Sequence, residues 1–496
     1  MLYSLLVVVV IPFSISWMTY NPLVQTFIAR MTASYLSKRL NTVVRIDALY
    51  VTPRLDLSAR GLLALDQRND TLLHADKVFL DMKSIRFSNQ KKSFSMNDLS
   101  VSGASFTLYR ANQDSAYSFE FLFEPFQAGD GVTETDTAQS LPMWQVSLRE
   151  LVLEKVRFRY LDENIERIPL GMDYTNLDIF VNALNMDDLI IHDDTFSFII
   201  NNLQAKDRCG FELDHLQGDF QLSPVVLDVR NLLIKTPRSD IDLDLTFEYN
   251  GWPSYIYFID EVNMHSSIRM SVVNTKDIGY FAPDLLVMDN EMRIGGNVDG
   301  KVSNLRVTDF RFAFGDDTHF QGDVRLYGLP DVQETFINTN IDEFVMLRKD
   351  VEKFAIPGTY RHISVPDELD VFGRMSISGR FTGFYNDFVS TANFHTDIGT
   401  ITTDLVLKQN EGNNEVVYNG SLHAYNFDIG RFLKLEDYLG TMGLKAVVNG
   451  SGLTGSTVLM NMTGIVDSLE FMGNTFEKLD ISGDIADRKF NGHLSV

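Results

Sequence analysis

Beyond residue 42, apolar and polar positions alternate in twos. The clearest run is Ser239 to Glu248, where Ile241, Leu243, Leu245 and Phe247 fall on one side and Asp240, Asp242, Asp244 and Glu248 on the other. A strand with this pattern buries one face and wets the other. Shorter runs repeat it at Phe106/Leu108, at Val156 to Tyr160 around Phe158, at Phe310/Phe312/Phe314 and at Leu469/Phe471. Asn250-Gly251, Asn419-Gly420, Asn449-Gly450 and Asn491-Gly492 are expected hairpin turns. With strand plus turn near eleven residues, the body would hold on the order of 40 strands. Helical spacing is sparse: Asn340 to Phe354 and Phe427 to Leu439 are the best candidates, with Asp277-Ile278-Gly279 and Asn182 to Leu189 weaker. The polar run Gln127 to Ser140 predicts a mobile loop.

The first forty residues differ. No charge precedes Arg30, and Met1 to Trp17 reads MLYSLLVVVVIPFSISW. As a helix, the stretch to Tyr20 would span roughly 30 Å, enough for a bilayer core. Leu2, Leu5, Leu6, Val7, Val8, Val9, Val10, Ile11, Phe13 and Trp17 would form an uncleaved anchor, since no clear A-x-A-like cleavage site follows. Asn21-Pro22 reads as an N-cap with Pro at the first helical position. Val24, Phe27, Ile28, Met31, Tyr35, Leu36 and Leu40 then recur at mostly helical spacing, predicting an amphipathic helix to about Asn41. It either caps the first sheet or rests at a membrane surface. Residues 1–60 hold six basic side chains against two acidic ones. Taken alone, the positive-inside rule would put the body in the cytoplasm. An apolar run with no cation before it, and a strand pattern still running at Val496, suggest that both ends are cut.

Composition narrows the function. Among 496 residues, 43 Lys+Arg face 67 Asp+Glu, for a net charge of -24, which argues against nucleic acid as a partner. A hydrophobic share of 45% excludes a disordered acidic chain, so the acidic excess is expected on the exterior of a folded sheet. The single cysteine, Cys209, excludes an internal disulfide and a cysteine metal cage.

Signatures of chemistry are nearly absent. Gly450-Ser451-Gly452-Leu453-Thr454-Gly455 matches G-x-G-x-x-G, but Ser456 to Met460 continues as strand where dinucleotide binding needs a helix. His192-Asp193-Asp194 has no second histidine nearby and reads as an acidic turn. Asp240, Asp242 and Asp244 lack the glycine turn and bidentate Glu of a calcium loop and read as a wet strand face. No catalytic residue, cofactor site or metal site is expected, and the chain is read as a non-enzyme. Asp277-Ile278-Gly279-Tyr280-Phe281 and Asp428-Ile429-Gly430-Arg431-Phe432 are similar phrases, each followed by a glycine-rich strand, and suggest duplicated modules.

This arrangement resembles the TamB family of the AsmA-like superfamily, in a Bacteroidota-like version. The resemblance rests on the apolar start, the helix N-P-L-V-Q-T-F-I-A-R followed by V-V-R-I-D-A-L, and the phrases Phe427 to Leu433 and Ile377 to Gly383. It implies a mostly β protein: an N-terminal transmembrane helix, then an elongated, curved antiparallel β-sheet trough with a few short helices. The divisions expected are an anchor (1–20), an amphipathic helix (21–41), a first groove segment (42–126), the polar loop (127–140), a second groove segment (141–276), a β module with helical insertions (277–427) and a truncated repeat of it (428–496). Phe106, Leu108, Phe158, Ile241, Leu243, Leu245, Phe247, Phe310, Phe312 and Phe314 are the candidate groove lining. The resemblance further implies a single-pass inner-membrane protein with its body in the periplasm and phospholipid as cargo. Its roles would be lipid transport to the outer membrane, outer-membrane protein assembly and secretion, or both. A barrel partner of the BamA superfamily would dock through a C-terminal region not recognisable here. Two other readings stand beside it: a scaffold adding strands to β-barrel clients without lipid, and a glycan-binding β protein.

Overall fold

The computed structural model describes residues 20–54, 56–87, 91–114, 116–122, 143–255, 257–331, 333–355, 359, 361–365, 367–409, 415–452, 458–486 and 489–495. The expected anchor residues Leu2 to Trp17 and the polar loop at 127–140 lie outside them. The chain is mostly β, 65% strand, with 24 strands and few helices among the described residues. Among the described residues no helix is long and apolar enough to cross a membrane.

The chain divides into two compact units, Met1–Asp240 with Gly279–Pro283, and Ile241–Ile278 with Asp284–Val496. The first opens with helix α1 (Pro22–Leu40), capped by the Asn21 side chain on the Leu23 amide at 2.9 Å and closed by Asn41 in the left-handed region. Two short strands follow, β1 (Val44–Arg45) and β2 (Ala48–Val51), and both pair with β3 (Leu57–Leu65). The ladder continues through β4 (Thr71–Phe87), β5 (Lys91–Arg110), β6 (Met143–Asp162), β7 (Asn176–His192), β8 (Thr195–Asp207), β9 (Glu212–Leu222) and β10 (Val226–Lys235). Consecutive strands from β3 on are neighbours.

The expected fully antiparallel sheet needs one correction: β5 and β6 run parallel from Lys91↔Met143 to Arg110↔Asp162. Parallel neighbours cannot be joined by a tight hairpin, and residues 111–142 separate these two strands in the chain.

The second unit contains β11 (Asp240–Glu248), β12 (Asn263–Asn274), β13 (Glu291–Lys301), β14 (Asn304–Phe314), β15 (Thr318–Tyr327), β16 (Phe336–Met346), β17 (Met375–Phe384) and β18 (Asp387–Thr396). Then come β19 (Gly399–Gln409), β20 (Val416–Asp428), β21 (Leu439–Ser451), β22 (Leu459–Phe471), β23 (Asn474–Ala486) and β24 (Lys489–Ser495). From β12 to β24 every neighbouring pair is antiparallel and consecutive in the chain.

The 24 strands replace the roughly 40 expected, because many strands are longer than the sequence rhythm implies, reaching 20 residues in β5 and β6. Three of the four expected Asn-Gly turns are strand interior: Asn419-Gly420, Asn449-Gly450 and Asn491-Gly492 lie in β20, β21 and β24. Gly420 shows why. A Cβ there would stand 2.0 Å from the Asp404 carbonyl oxygen, so the position needs glycine for close strand approach. Two expected helices are also strand. Asn182 to Leu189 lies inside β7, and Asn340 to Met346 belongs to β16, leaving only Arg348–Val351 helical in that region. Within Phe427 to Leu439 the helix is Ile429–Leu433, and Thr275–Gly279 is helical as well.

Steps of three residues in the apolar pattern caused those errors. In β7 the apolar set is Leu177, Ile179, Val181, Leu184, Met186, Leu189 and Ile191. Its partners in β6 are Tyr160, Phe158, Val156, Leu153, Leu151, Leu148 and Val146. A further register ties these to Leu108, Phe106, Ala104, Val101, Leu99, Met96 and Phe94 in β5. Each strand thus inserts one extra polar residue at the same two levels. At the first level Gly61, Gly103 and Lys155 adopt the left-handed region, and at the second Asp188 does. Irregularities of this kind bend a strand and re-aim its side chains. Here they keep that apolar set on one face.

Part of the acidic excess is internal rather than on the exterior. Asp66, Asp173, Asp207 and Asp350 are buried, and each fastens a turn. Asp66 accepts from the amides of Arg68 and Asp70, both at 2.8 Å. Asp350, fully buried, accepts from the amides of Asp316 (2.9 Å), Asp317 (3.2 Å) and Thr318 (3.3 Å), the Thr318 hydroxyl and Lys353. Burial pulls its pKa up, but the Asp316 and Asp317 amides, Lys353 and Thr318 outweigh that and hold it well below the usual carboxylate range.

Candidate apolar binding face

In the second unit the register lays apolar side chains opposite one another strand after strand. Met292, Ile294 and Val298 of β13 face Phe314, Phe312 and Val307 of β14. Phe312 in turn faces Phe320 of β15, which faces Phe344 of β16. Further on, Leu444, Ala446, Val448, Met462, Val466, Leu479 and Ile481 join Ile398, Ala424 and Phe427 in one buried cluster. Small residues sit among them. A Cβ on Gly464 would approach the Lys445 carbonyl oxygen to 2.0 Å, so β21 and β22 meet closely there.

Among the described residues, each strand packs chiefly against its neighbours in the ladder. The side chains of this face are mostly half-buried, sheltered by one another and by short caps. Val371, Phe372 and Ile429 cover one end of the buried cluster.

The expected lining residues are distributed over both units. In the first, Phe106 and Phe158 are register partners with rings 6.1 Å apart, and Leu108 continues their row. In the second, Ile241, Leu243, Leu245 and Phe247 alternate along β11 with Asp242 and Asp244. Phe247 meets Phe258 at 5.3 Å, and Phe310 meets Phe320 at 5.7 Å. Phe314 is packed rather than open, buried against Phe354 at 4.1 Å. Residues such as Val101, Leu153 and Leu184 complete the first unit's face, and only the three-residue steps signalled them.

The opposite face carries most of the ion pairs, with exposed apolar residues such as Phe180 and Val389 among them. Arg269 donates to Asp242 (2.6 Å) and Asp244 (2.7 Å), and these hydrogen bonds raise its pKa. The strand-face aspartates thus hold a guanidinium where calcium had been considered. Arg157 grips Asp178 through two bonds of 2.7 Å. A polar hollow of 510 Å³, lined by Asp244, His265, Asn297, Asp299, Arg306 and Thr308 among others, has its acids engaged: Asp299 lies 2.7 Å from His265. Among the described residues no group of three metal-binding side chains occurs. His192 pairs with Asp193 at 3.1 Å on an exposed turn. Gly450 and Ser451 end β21, and strand resumes at Leu459, with residues 453–457 outside the described ones.

In the first unit the face ends in a polar seal. Tyr160 and Tyr117 share a hydrogen bond of 3.2 Å, which, with burial, pushes the Tyr160 phenol up to about 12. Arg110 pairs with buried Asp162 and lies over the Tyr117 ring at 4.9 Å. Cys209 sits in the β8–β9 turn, its amide on Asp207 at 2.8 Å. Burial first, then the Asp207 carboxylate, push its thiol up to about 11. Because the thiolate is the nucleophile, alkylation of the folded chain at pH 8 should run on the order of 100-fold slower than that of an ordinary thiol. Iodoacetamide labelling across pH checks this: the rate should keep rising towards pH 11 and become ordinary in denaturant.

No known protein family matches the chain, and no curated protein or solved structure matches it either.

Proposed function

We propose that the chain is a non-enzymatic, membrane-tethered lipid carrier. Phospholipid acyl chains lie against the one-sided apolar face while headgroups stay in water. The observation that supports this is the apolar register within each unit, whose side chains are mostly only half-buried. Soluble proteins rarely leave a large contiguous apolar surface without a ligand or partner. Each acyl CH₂ withdrawn from water contributes about 0.8 kcal/mol, so binding without polar recognition suffices. The TamB-like resemblance gives the setting: an inner-membrane anchor, a periplasmic body, and traffic of lipid, or support of protein assembly, towards the outer membrane.

Lipid carried by the purified full chain tests the reading. Leu243→Asp and Phe312→Asp should each lower bound phospholipid by about tenfold, the equivalent of about 1.4 kcal/mol. Val389→Asp, an apolar-to-charged change on the exposed opposite face, should leave it unchanged. Equal loss in all three variants, or a wild-type chain free of lipid, would sink the carrier.

A further inference from the structure

Helix α1 is apolar on two opposite sides. Towards β1 and β2 it presents Ala29 and Ala33, both buried, which line a 300 Å³ cleft with Leu36, Val44, Leu49 and Val51. Thr26 holds that docking by hydrogen bonds to Leu49, and Gln25 by bonds to Val51. On the far side stand the large residues. Leu23, Phe27, Met31 and Tyr35, one helical turn apart, are 80%, 63%, 59% and 59% exposed. An ordinary surface helix puts its large apolar residues inward and its charges outward. This helix departs from that arrangement: besides inward Ala29, Ala33, Leu36 and Leu40 it exposes a second row of large apolar residues.

We infer that this outward stripe is a membrane-docking surface that lies in the interface of an anionic bilayer. Arg30, Lys38 and Arg39 flank the stripe on the same helix, and residues 1–60 hold six basic side chains against two acidic ones in a chain of net charge -24. A basic, aromatic-bearing apolar stripe is the pattern of helices that lie in the headgroup region. The uncharged run Met1 to Trp17 ends four residues before Asn21, which keeps α1 within reach of any bilayer that run enters. The inference rests on the tethered reading above. It adds that α1 is held flat on the membrane, so that the apolar face of the first unit, which α1 caps at β1 and β2, starts at the lipid surface.

The full chain, with Cys209→Ser as background, is reconstituted in vesicles of phosphatidylcholine and phosphatidylglycerol. An environment-sensitive fluorophore is placed singly at positions 13, 27, 31 and 193. Labels at 27 and 31 should emit in the blue and lose at least half their intensity to shallow lipid quenchers, more than to deep ones. Label 193, on an exposed turn, should remain in water. Withdrawing the anionic lipid, or Lys38→Glu, should weaken quenching at 27 and 31 but not at 13. Water-exposed labels at 27 and 31 beside a buried label 13 overturn the inference and leave the tether standing. A water-exposed label 13 overturns both. Shielding at 27 and 31 without lipid quenching would assign the stripe to a second copy of the chain and overturn the inference as well. Phe27 and Met31 are exposed, so labelling there leaves the fold intact, which circular dichroism checks.

Discussion

Deleting Arg157 should unfold the first unit, whereas Lys155→Gly should be neutral or slightly stabilising. Lys155 supplies the extra residue between Glu154 and Val156, its φ is 53°, and it lies level with Gly103 of β5. Arg157 lies in the plainly alternating stretch beyond it. Without Arg157, Phe158 and Tyr160 turn to the polar face, because a one-residue slip inverts every side chain beyond it. Each side chain moved in this way forfeits about 1.5–3 kcal/mol of burial at most. Two together approach the lower end of the stability of a typical domain, about 5–15 kcal/mol. Glycine adopts the left-handed region without the steric cost a lysine meets there, roughly 1–2 kcal/mol. Limited proteolysis followed by mass mapping checks the pair: the deletion should open β5 to β7 to cleavage, and the glycine variant should resist as wild type does. Equal resistance in both would mean that the phase of β6 does not set the face.

Asp350→Asn should loosen the second unit by about 2–4 kcal/mol at neutral pH. The change replaces a charge-assisted acceptor by an amide whose NH₂ faces backbone N–H groups. The pH dependence follows from the lowered pKa. A carboxylate depressed in the folded state contributes stability above its ordinary range, near 4, and loses it as pH falls through its own lower value. Wild type and variant should therefore differ at pH 7 and converge in strong acid. Hydrogen exchange at the amides of Asp316, Asp317 and Thr318 reads the effect locally. An unchanged exchange rate at pH 7 would show that the carboxylate is not what holds that turn. Gly315 belongs to the same device: its φ is 64°, and a Cβ there would strike the Asp350 carboxyl group at 2.3 Å.

Alternation at Ile241 to Phe247 and at Phe310 to Phe314 was legible because plain strands repeat every two residues. Leu153 to Val156 and Leu184 to Leu189 were not, because an inserted polar residue makes a strand imitate helical spacing. Asn419-Gly420 carries the chemistry of a turn but serves close packing between strands, a role fixed only by its partner at Asp404 and Leu405. The parallel β5–β6 pair is a choice of long-range partner, which no local pattern encodes. The roles of Asp66, Asp173 and Asp207 were not legible, because their burial depends on which amides the fold brings to them. For α1, the apolar spacing was visible at once. Which apolar residues faced the sheet was not, because the choice of Ala29 and Ala33 over Phe27 and Met31 is made by β1 and β2.

The central question is what occupies the half-buried apolar face. A photo-crosslinking residue placed at Phe158 or Phe312 on that face, and at Phe180 or Val389 on the opposite one, reads the occupant directly in the intact chain within its membrane. The account predicts phospholipid adducts at Phe158 and Phe312 and none at Phe180 and Val389. Adducts confined to the opposite face, or protein adducts without lipid at Phe158 and Phe312, would contradict it.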